Sequence, residues 1–327
     1  MSQPQSDDEE DNLLLSSIFH DPQDDQEAKP KPGHITTYTP ITTTTTTTTT
    51  SSSSSSSPGL PSTIKINLIH SSPLYGHILT HACLYTAHYL ETHCATLVKN
   101  KTVLEVGAGG ALPSVLCSLL GAQMVVCSDY PDYELVQNLS YNLNVLNGIA
   151  RDRARGVGYI WGNSYDVLLD ALNCVDEDDD DEEEEEKVSG IVGKKDQERK
   201  DKFDLIILSD VIFNHSEHYK LLQTCKDLIQ PLRTNETKTT TETKTETKTK
   251  TKIPRSGGQI LVAFSPHRPK LFDADMDFFN KAASDEFKFD VEFVELTMWE
   301  PLFKDDLDES TKELRSRVYF YVLHPTW

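Results

Sequence analysis

The sequence predicts an α/β fold, a mostly parallel sheet closed by an antiparallel C-terminal strand pair, and three observations carry that prediction. In Lys101–Gly121 a buried strand, a glycine turn and a helix follow one another without a linker. Apolar strand-like runs then alternate with helical periodicity as far as the segment Asp273–Ala283. Finally, Phe287–Leu296 and Arg315–Leu323 both read as strands and come together at the end of the chain, which argues for an antiparallel pair.

Taken in order, Leu60–Ile69 sets Ile64, Ile66 and Leu68 against Lys65 and Asn67, a strand-like arm ahead of the core. Ser72–His77 leads into a helix with Leu74, Ile78, Cys83, Ala87 and Leu90 on its apolar stripe. His77, His81 and His88 share that helix, but no carboxylate or cysteine completes a ligand set, so they are expected to be surface or core residues and no metal is expected. Val103, Leu104 and Val106 form a short run suited to a strand covered on both faces. Gly107, Gly109 and Gly110 let the backbone turn and approach a ligand, Pro113 sits in the first helical turn, and Gly121 stops the helix. Helix N–H groups are expected to face an anionic or polar ligand there. Leu112 stands where a dinucleotide fingerprint needs its third glycine, so that class is disfavoured. Met124–Ser128 is a second strand ending at Asp129, where a carboxylate is placed to hydrogen-bond the ribose hydroxyls of a nucleoside cofactor.

Beyond it, Asp132–Asn147 reads as an amphipathic helix, and Gly156–Trp161 as a strand. Phe203–Asp210 is a further buried strand with polar residues at its C-terminal end, followed by a helix over 216–230 and a strand at Gln259–Phe264. Ligands of such sheets bind beyond the C-terminal strand ends, where Gly107, Asp129, Trp161, Ser209 and Asp210 all fall.

Composition bounds the domain. Residues 1–59 are acidic and then Thr/Ser-rich, 176–186 are all Asp or Glu, and 234–252 are almost wholly Thr, Lys and Glu. Such segments lack the apolar surface to offset ordering entropy, so 1–59 is expected to be a disordered tail. Residues 60–327 are then one domain with disordered insertions near 176–201 and 233–255. The formal charge of −21 lies largely in these runs, and no basic stripe crosses the core, which argues against a nucleic-acid partner. The six cysteines form no CxxC pair and read as reduced core residues of a cytoplasmic protein. No apolar run approaches a membrane span and no basic signal opens the chain, so no membrane partner is expected; a monomer is expected.

Glu105-Val-Gly-Ala-Gly109 resembles motif I of the class I, Rossmann-like seven-stranded S-adenosylmethionine methyltransferases. Pro73-Leu-Tyr-Gly-His77, Leu112-Pro-Ser114, Ser128-Asp-Tyr-Pro-Asp132, Gly158-Tyr-Ile-Trp-Gly162, Phe213-Asn-His-Ser-Glu-His218 and Ser265-Pro-His-Arg-Pro269 follow in place. Together they resemble the fungal N-terminal and lysine methyltransferases of elongation factor 1-alpha, formerly labelled nicotinamide N-methyltransferase-like. That resemblance implies S-adenosylmethionine as cofactor, elongation factor 1-alpha as protein substrate, and methylation of an N-terminal glycine amine and the adjacent lysine. The older label leaves a small-molecule N-methyltransferase as the alternative. It further implies cofactor contacts from Tyr75, Gly107, Ala108, Gly109, Asp129, Trp161 and Ser209. Tyr75 stands where the family usually has Trp. The family's acceptor motif matches Asp210 and Phe213, with Asp210 stabilising the incoming amine and Phe213 walling the methyl channel. A helix N-cap is the plain alternative for Asp210, and His215 and His218 are read either as bases or as a polar helix start.

Overall fold

The structure, a computed structural model, describes residues 33–41, 60–71, 76–174, 200–232, 257–303 and 308–327. Seven strands form the main sheet: β3 (Thr102–Val106), β4 (Met124–Asp129), β5 (Ala154–Gly158), β6 (Leu205–Ser209), β7 (Gln259–Phe264), β8 (Phe289–Met298) and β9 (Arg317–Pro325). Their order is β5–β4–β3–β6–β7–β9–β8. The first five are parallel, whereas β9 runs antiparallel to both β7 and β8, with a bulge between Phe293 and Glu295.

Successive strand residues alternate between two apolar layers, which is why the strands read as continuous apolar runs. Val103, Val125, Ile207 and Leu261 face α1 (His81–Thr92) and α2 (Leu112–Leu119). Leu104, Val126, Ile206 and Val262 face the layer built by α4 (Asp166–Leu172), α5 (His218–Leu228) and α6 (Phe272–Ala283). Between them in sequence lies α3 (Tyr133–Ser140), which continues as a π-helical stretch over Tyr141–Leu146. The chain leaves β3 toward β4 and later returns to β6 on the other side. The topological switch point therefore lies at β3/β6, with a crevice beyond their C-terminal ends.

Several expectations need correction. The segment 1–59 is not wholly without structure, because β1 (His34–Tyr38) pairs antiparallel with β2 (Ile64–Leu68) in a second, two-stranded sheet. Tyr38 explains why: its ring is buried and its hydroxyl donates to Glu91 on α1 at 2.5 Å. The rest of that tail, and the two insertions apart from residues 200, 201 and the flanks at 174 and 257, lie outside the described residues. Helix α1 begins later than its apolar stripe suggested, since Thr80 caps it by accepting from the Cys83 N–H. His77 is consequently off the helix, while His81 stacks on Trp299 and His88 tilts against it. β5 ends at Gly158, leaving Trp161 in the following turn. Four cysteines are buried thiols, but Cys94 is half-buried and Cys174 exposed. Among the described residues no helix is long and apolar enough to cross a membrane.

Candidate functional site

The glycine turn after β3 is held by the end of β4. Gly107 and Ala108 both donate their N–H to the Ser128 carbonyl, at 2.9 and 3.0 Å, and Gly109 donates to Asp129 Oδ2 at 2.6 Å. Gly107 needs its freedom twice over, since its φ is +69° and a Cβ there would lie 2.6 Å from Val211 Cγ1. The turn is backed from behind by the small sheet. Asn142, on the π-helical stretch, donates to both Gly110 and Asn67 carbonyls, and a Cβ on Gly110 would meet Ile66 and Leu68 within 3 Å.

At the following helix, where an anionic or polar partner was expected, the chain itself supplies one in Glu105. This fully buried carboxylate accepts the Ser114 N–H at 2.9 Å and the Ser114 hydroxyl at 2.5 Å, so the first turn of α2 is already capped from within the chain. Burial pushes the Glu105 carboxyl up to about 8 against those two hydrogen bonds, with Asp129 nearby adding to the rise. Asp129 is likewise raised by burial, while the Gly109 and Tyr130 N–H groups pull it back. Two acids close together and starved of solvent favour a cationic ligand over an anionic one.

Asp210 follows β6 directly and occupies the left-handed region, φ +60°, which Asp tolerates better than most side-chain-bearing residues. That conformation turns its carboxylate toward the end of β7 rather than toward a helix. Oδ1 accepts the Ser265 N–H at 3.2 Å, and Oδ2 pairs with His267 Nε2 at 2.7 Å. It caps no helix, since α5 starts at His218 with Glu217 before it. His267 is pulled down by burial, but the adjacent Asp210 carboxylate outweighs this and leaves it above its ordinary value. His215 is turned away onto Asp275, 2.7 Å distant, and His218 is buried with Nε2 donating to the Ile212 carbonyl. Burial pushes His218 down to about 4. Neither histidine lines the cavity described next.

That cavity, about 580 Å³, sits over the switch point. It is lined by Gly107, Ala108, Gly109, Asp129, Trp161, Ser209, Asp210 and Phe213, so the cofactor and acceptor residues implied by the resemblance meet there, Tyr75 lying outside the described residues. The strand order arrays them along the sheet edge, with Trp161 beyond β5, Asp129 on β4, the glycine turn after β3, Ser209 and Asp210 at β6 and His267 after β7. Ser209 is tied to α1 by a hydroxyl bond to Thr86 at 3.1 Å. Glu105, Tyr130, Leu302 and Phe303 also line the cavity and were not foreseen. His267 was visible only as part of the Ser265–Pro269 block; its pairing with Asp210 depends on the β6–β7 register, which no local pattern reveals. Among the described residues no cluster of three or more His, Cys, Asp or Glu side chains is arranged to hold a metal.

The residues present fit S-adenosylmethionine. The cavity combines an apolar wall, an aromatic ring at Trp161, buried acids suited to a sulfonium and an ammonium, and a glycine approach with no Cβ in the way.

No family model matches the chain. Curated relatives do. The protein N-terminal and lysine N-methyltransferase EFM7 of Candida albicans is 39% identical over 270 residues, 82% of this chain and 85% of that protein. Its namesakes in Debaryomyces hansenii and Kluyveromyces lactis are each 36% identical, covering 82% and 95% of this chain and 85% and 97% of theirs. Similar solved structures include precorrin-6y C5,15-methyltransferase of Geobacter metallireducens, at 12% identity, 79% and 93% coverage and a TM-score of 0.41. Another is the T. thermophilus 16S rRNA N2 G1207 methyltransferase in complex with AdoMet and guanosine, at 12% identity, 90% and 51% coverage and a TM-score of 0.39. The identity and coverage of the fungal relatives make this chain a member of the EFM7 family of protein N-terminal and lysine N-methyltransferases, with S-adenosylmethionine as its methyl donor.

Proposed function

We propose that this enzyme methylates the N-terminal glycine amine and the adjacent lysine of translation elongation factor 1-alpha, acting in the cytoplasm. The activities for which its relatives are named support a protein acceptor with both amine types. Buried free thiols at Cys83, Cys117, Cys127 and Cys225 support a reducing compartment. The observation that carries the reading is the position of Asp210, a buried carboxylate fixed by Ser265 and His267 at the edge of a cavity whose other buried acids, Glu105 and Asp129, suit a cationic donor.

In this reading Gly107, Ala108 and Gly109 surround the methionine moiety, Asp129 takes the ribose hydroxyls, Trp161 lies against the adenine and Ser209 borders the reacting group. Tyr75 completes the cofactor contacts. When bound, the cofactor supplies an electrophilic methyl group on a sulfonium. Asp210 holds the acceptor nitrogen and stabilises the positive charge that develops on it. Phe213, half-buried in the cavity wall with its carbonyl fixed by Arg268, narrows the channel so that one amine enters end-on. The catalytic unit is proposed to be residues 60–327, extended by the strand at His34–Tyr38.

The test is incubation of the protein and labelled S-adenosylmethionine with a peptide bearing the substrate's amino-terminal glycine and lysine, and separately with nicotinamide. Label on both peptide amines is the expected result. Label on nicotinamide alone would overturn the assignment in favour of a small-molecule acceptor.

A further inference from the structure

We propose that His267, held by Asp210, is the base that takes the proton from the acceptor amine; this rests on the methyl-transfer reading above. The two amines of that reading pose unequal problems. At pH 7 roughly one α-amino group in ten is neutral, against roughly one lysine in 2,500, so a site that uses both needs a proton acceptor beside the attacking nitrogen.

Four observations converge on His267. It lines the same cavity as Ser209, Asp210 and Phe213. Its Nε2 lies 2.7 Å from Asp210 Oδ2, so the carboxylate accepts Nε2–H and leaves Nδ1 as the basic nitrogen. Among the described residues Nδ1 has no hydrogen-bond partner, and it is not among the buried unpaired atoms, so it remains open to a substrate proton. The ring is fixed on its other side by an edge contact with Phe303, 5.2 Å between centroids. The charged groups around it are Asp210 after β6, Asp275 on α6, Arg268 beside it and His81 on α1. The two carboxylates favour the imidazolium, whereas Arg268 and His81 oppose it.

The step balances without a co-reactant. The ammonium N–H bond breaks, the proton goes to Nδ1, and the electron pair stays on the amine nitrogen, which then attacks the methyl group. The imidazolium is compensated by Asp210 and returns its proton to water. Because the carboxylates raise the pKa of His267, turnover of the wild type rises with pH through a value above the usual imidazole range and then levels.

The experiment compares wild type with His267→Gln, using one peptide whose only acceptor is an α-amine and one whose only acceptor is lysine. Glutamine keeps an N–H for Asp210 but takes up no proton. Initial rates under saturating conditions are followed from about pH 6 to about pH 10, with donor affinity measured by calorimetry as a control on folding. We expect unchanged donor affinity, a kcat loss of ~100-fold or more on lysine at pH 7 and a smaller loss on the α-amine. The variant's rate should climb with pH toward the pKa of the acceptor itself, without the lower inflection. Wild-type rates and an unaltered pH profile in the variant would reduce His267 to a support for Asp210 and leave the methyl-transfer reading intact. If the wild-type enzyme labels neither peptide, that reading fails and the role of His267 falls with it.

Discussion

Replacing Glu105 by glutamine should abolish the part of the pH-dependent stability loss that Glu105 causes in the ligand-free protein between about pH 5.5 and about pH 7.5. Glu105 is wholly buried, and its carboxyl rises from 4.5 to about 8 on folding, with burial as the main cause. A folded-state value above the unfolded one means that the folded protein holds the proton more tightly. Its contribution is therefore complete below about pH 4.5 and is lost as pH rises toward about 8. Within that window one group costs about 1.4 kcal/mol per pH unit, or about 2.7 kcal/mol over the two units. For a domain of this size that corresponds to roughly 5 to 10 °C in Tm. Asp129 is shifted in the same direction and the buried His218 in the opposite sense, so the wild-type profile contains several groups, and the difference between wild type and Glu105→Gln isolates Glu105. Glutamine keeps a carbonyl oxygen to accept from Ser114, so the cap on α2 survives. Thermal unfolding of both proteins at several pH values is the assay. Parallel Tm profiles would refute the claim that this carboxylate is destabilised by its burial, and with it the argument that the turn is built for a cation.

Three further substitutions probe the cavity. Asp129→Ala removes the carboxylate assigned to the ribose and the acceptor of the Gly109 N–H, and should weaken S-adenosylmethionine binding by at least ~10-fold in calorimetry; an unchanged affinity would remove Asp129 from the cofactor site. Gly107→Ala forces a side chain to φ +69° and 2.6 Å from Val211 Cγ1. Loss of donor binding with retained far-UV circular dichroism is expected, and normal affinity would show that the turn can move. Asp210→Asn keeps a residue that tolerates the left-handed conformation but drops the charge, so donor binding should persist while methylation falls by ~100-fold or more, more steeply on lysine than on the α-amine at pH 7. Mass spectrometry of a peptide carrying both amines reads the outcome, and equal methylation by variant and wild type would show that the charge is not used.

The strands and the glycine turn were legible because covered parallel strands leave continuous apolar runs such as Met124–Cys127 and Leu205–Leu208, and turns leave glycines. Asp129 and Asp210 were legible for the same reason, since both sit where such runs stop. What escaped depends on register and burial. The anionic or polar partner expected at α2 was left unnamed, and only the fold reveals that Glu105, pointing back from β3, takes the Ser114 N–H. For Asp210 a helix cap was the plain alternative to an acceptor-site acid, and only a positive φ and the β6–β7 pairing, which bring it to Ser265 and His267, remove that alternative. The strand at His34–Tyr38 was hidden by the low-complexity composition around it, and its partner lies across a long Thr/Ser tract. The histidines at 215 and 218 carry the most conspicuous local motif, yet the packing of α6 directs the first to Asp275 and seals the second.

The asparagine links between the arm and the cofactor turn also bear on the order in which the protein assembles. During synthesis β1 and β2 emerge first, but Asn67 is answered by Asn138 and Asn142, 71 and 75 residues later, and Gly110 meets its neighbours from both sides. Helix α1 can offer Glu91 to Tyr38 early, but the asparagine links of the small sheet have no partners until β3, β4 and the π-helical stretch have left the ribosome. A two-stranded sheet is marginal on its own, so its asparagine links should close only after that interval, as a latch on a turn that is already formed.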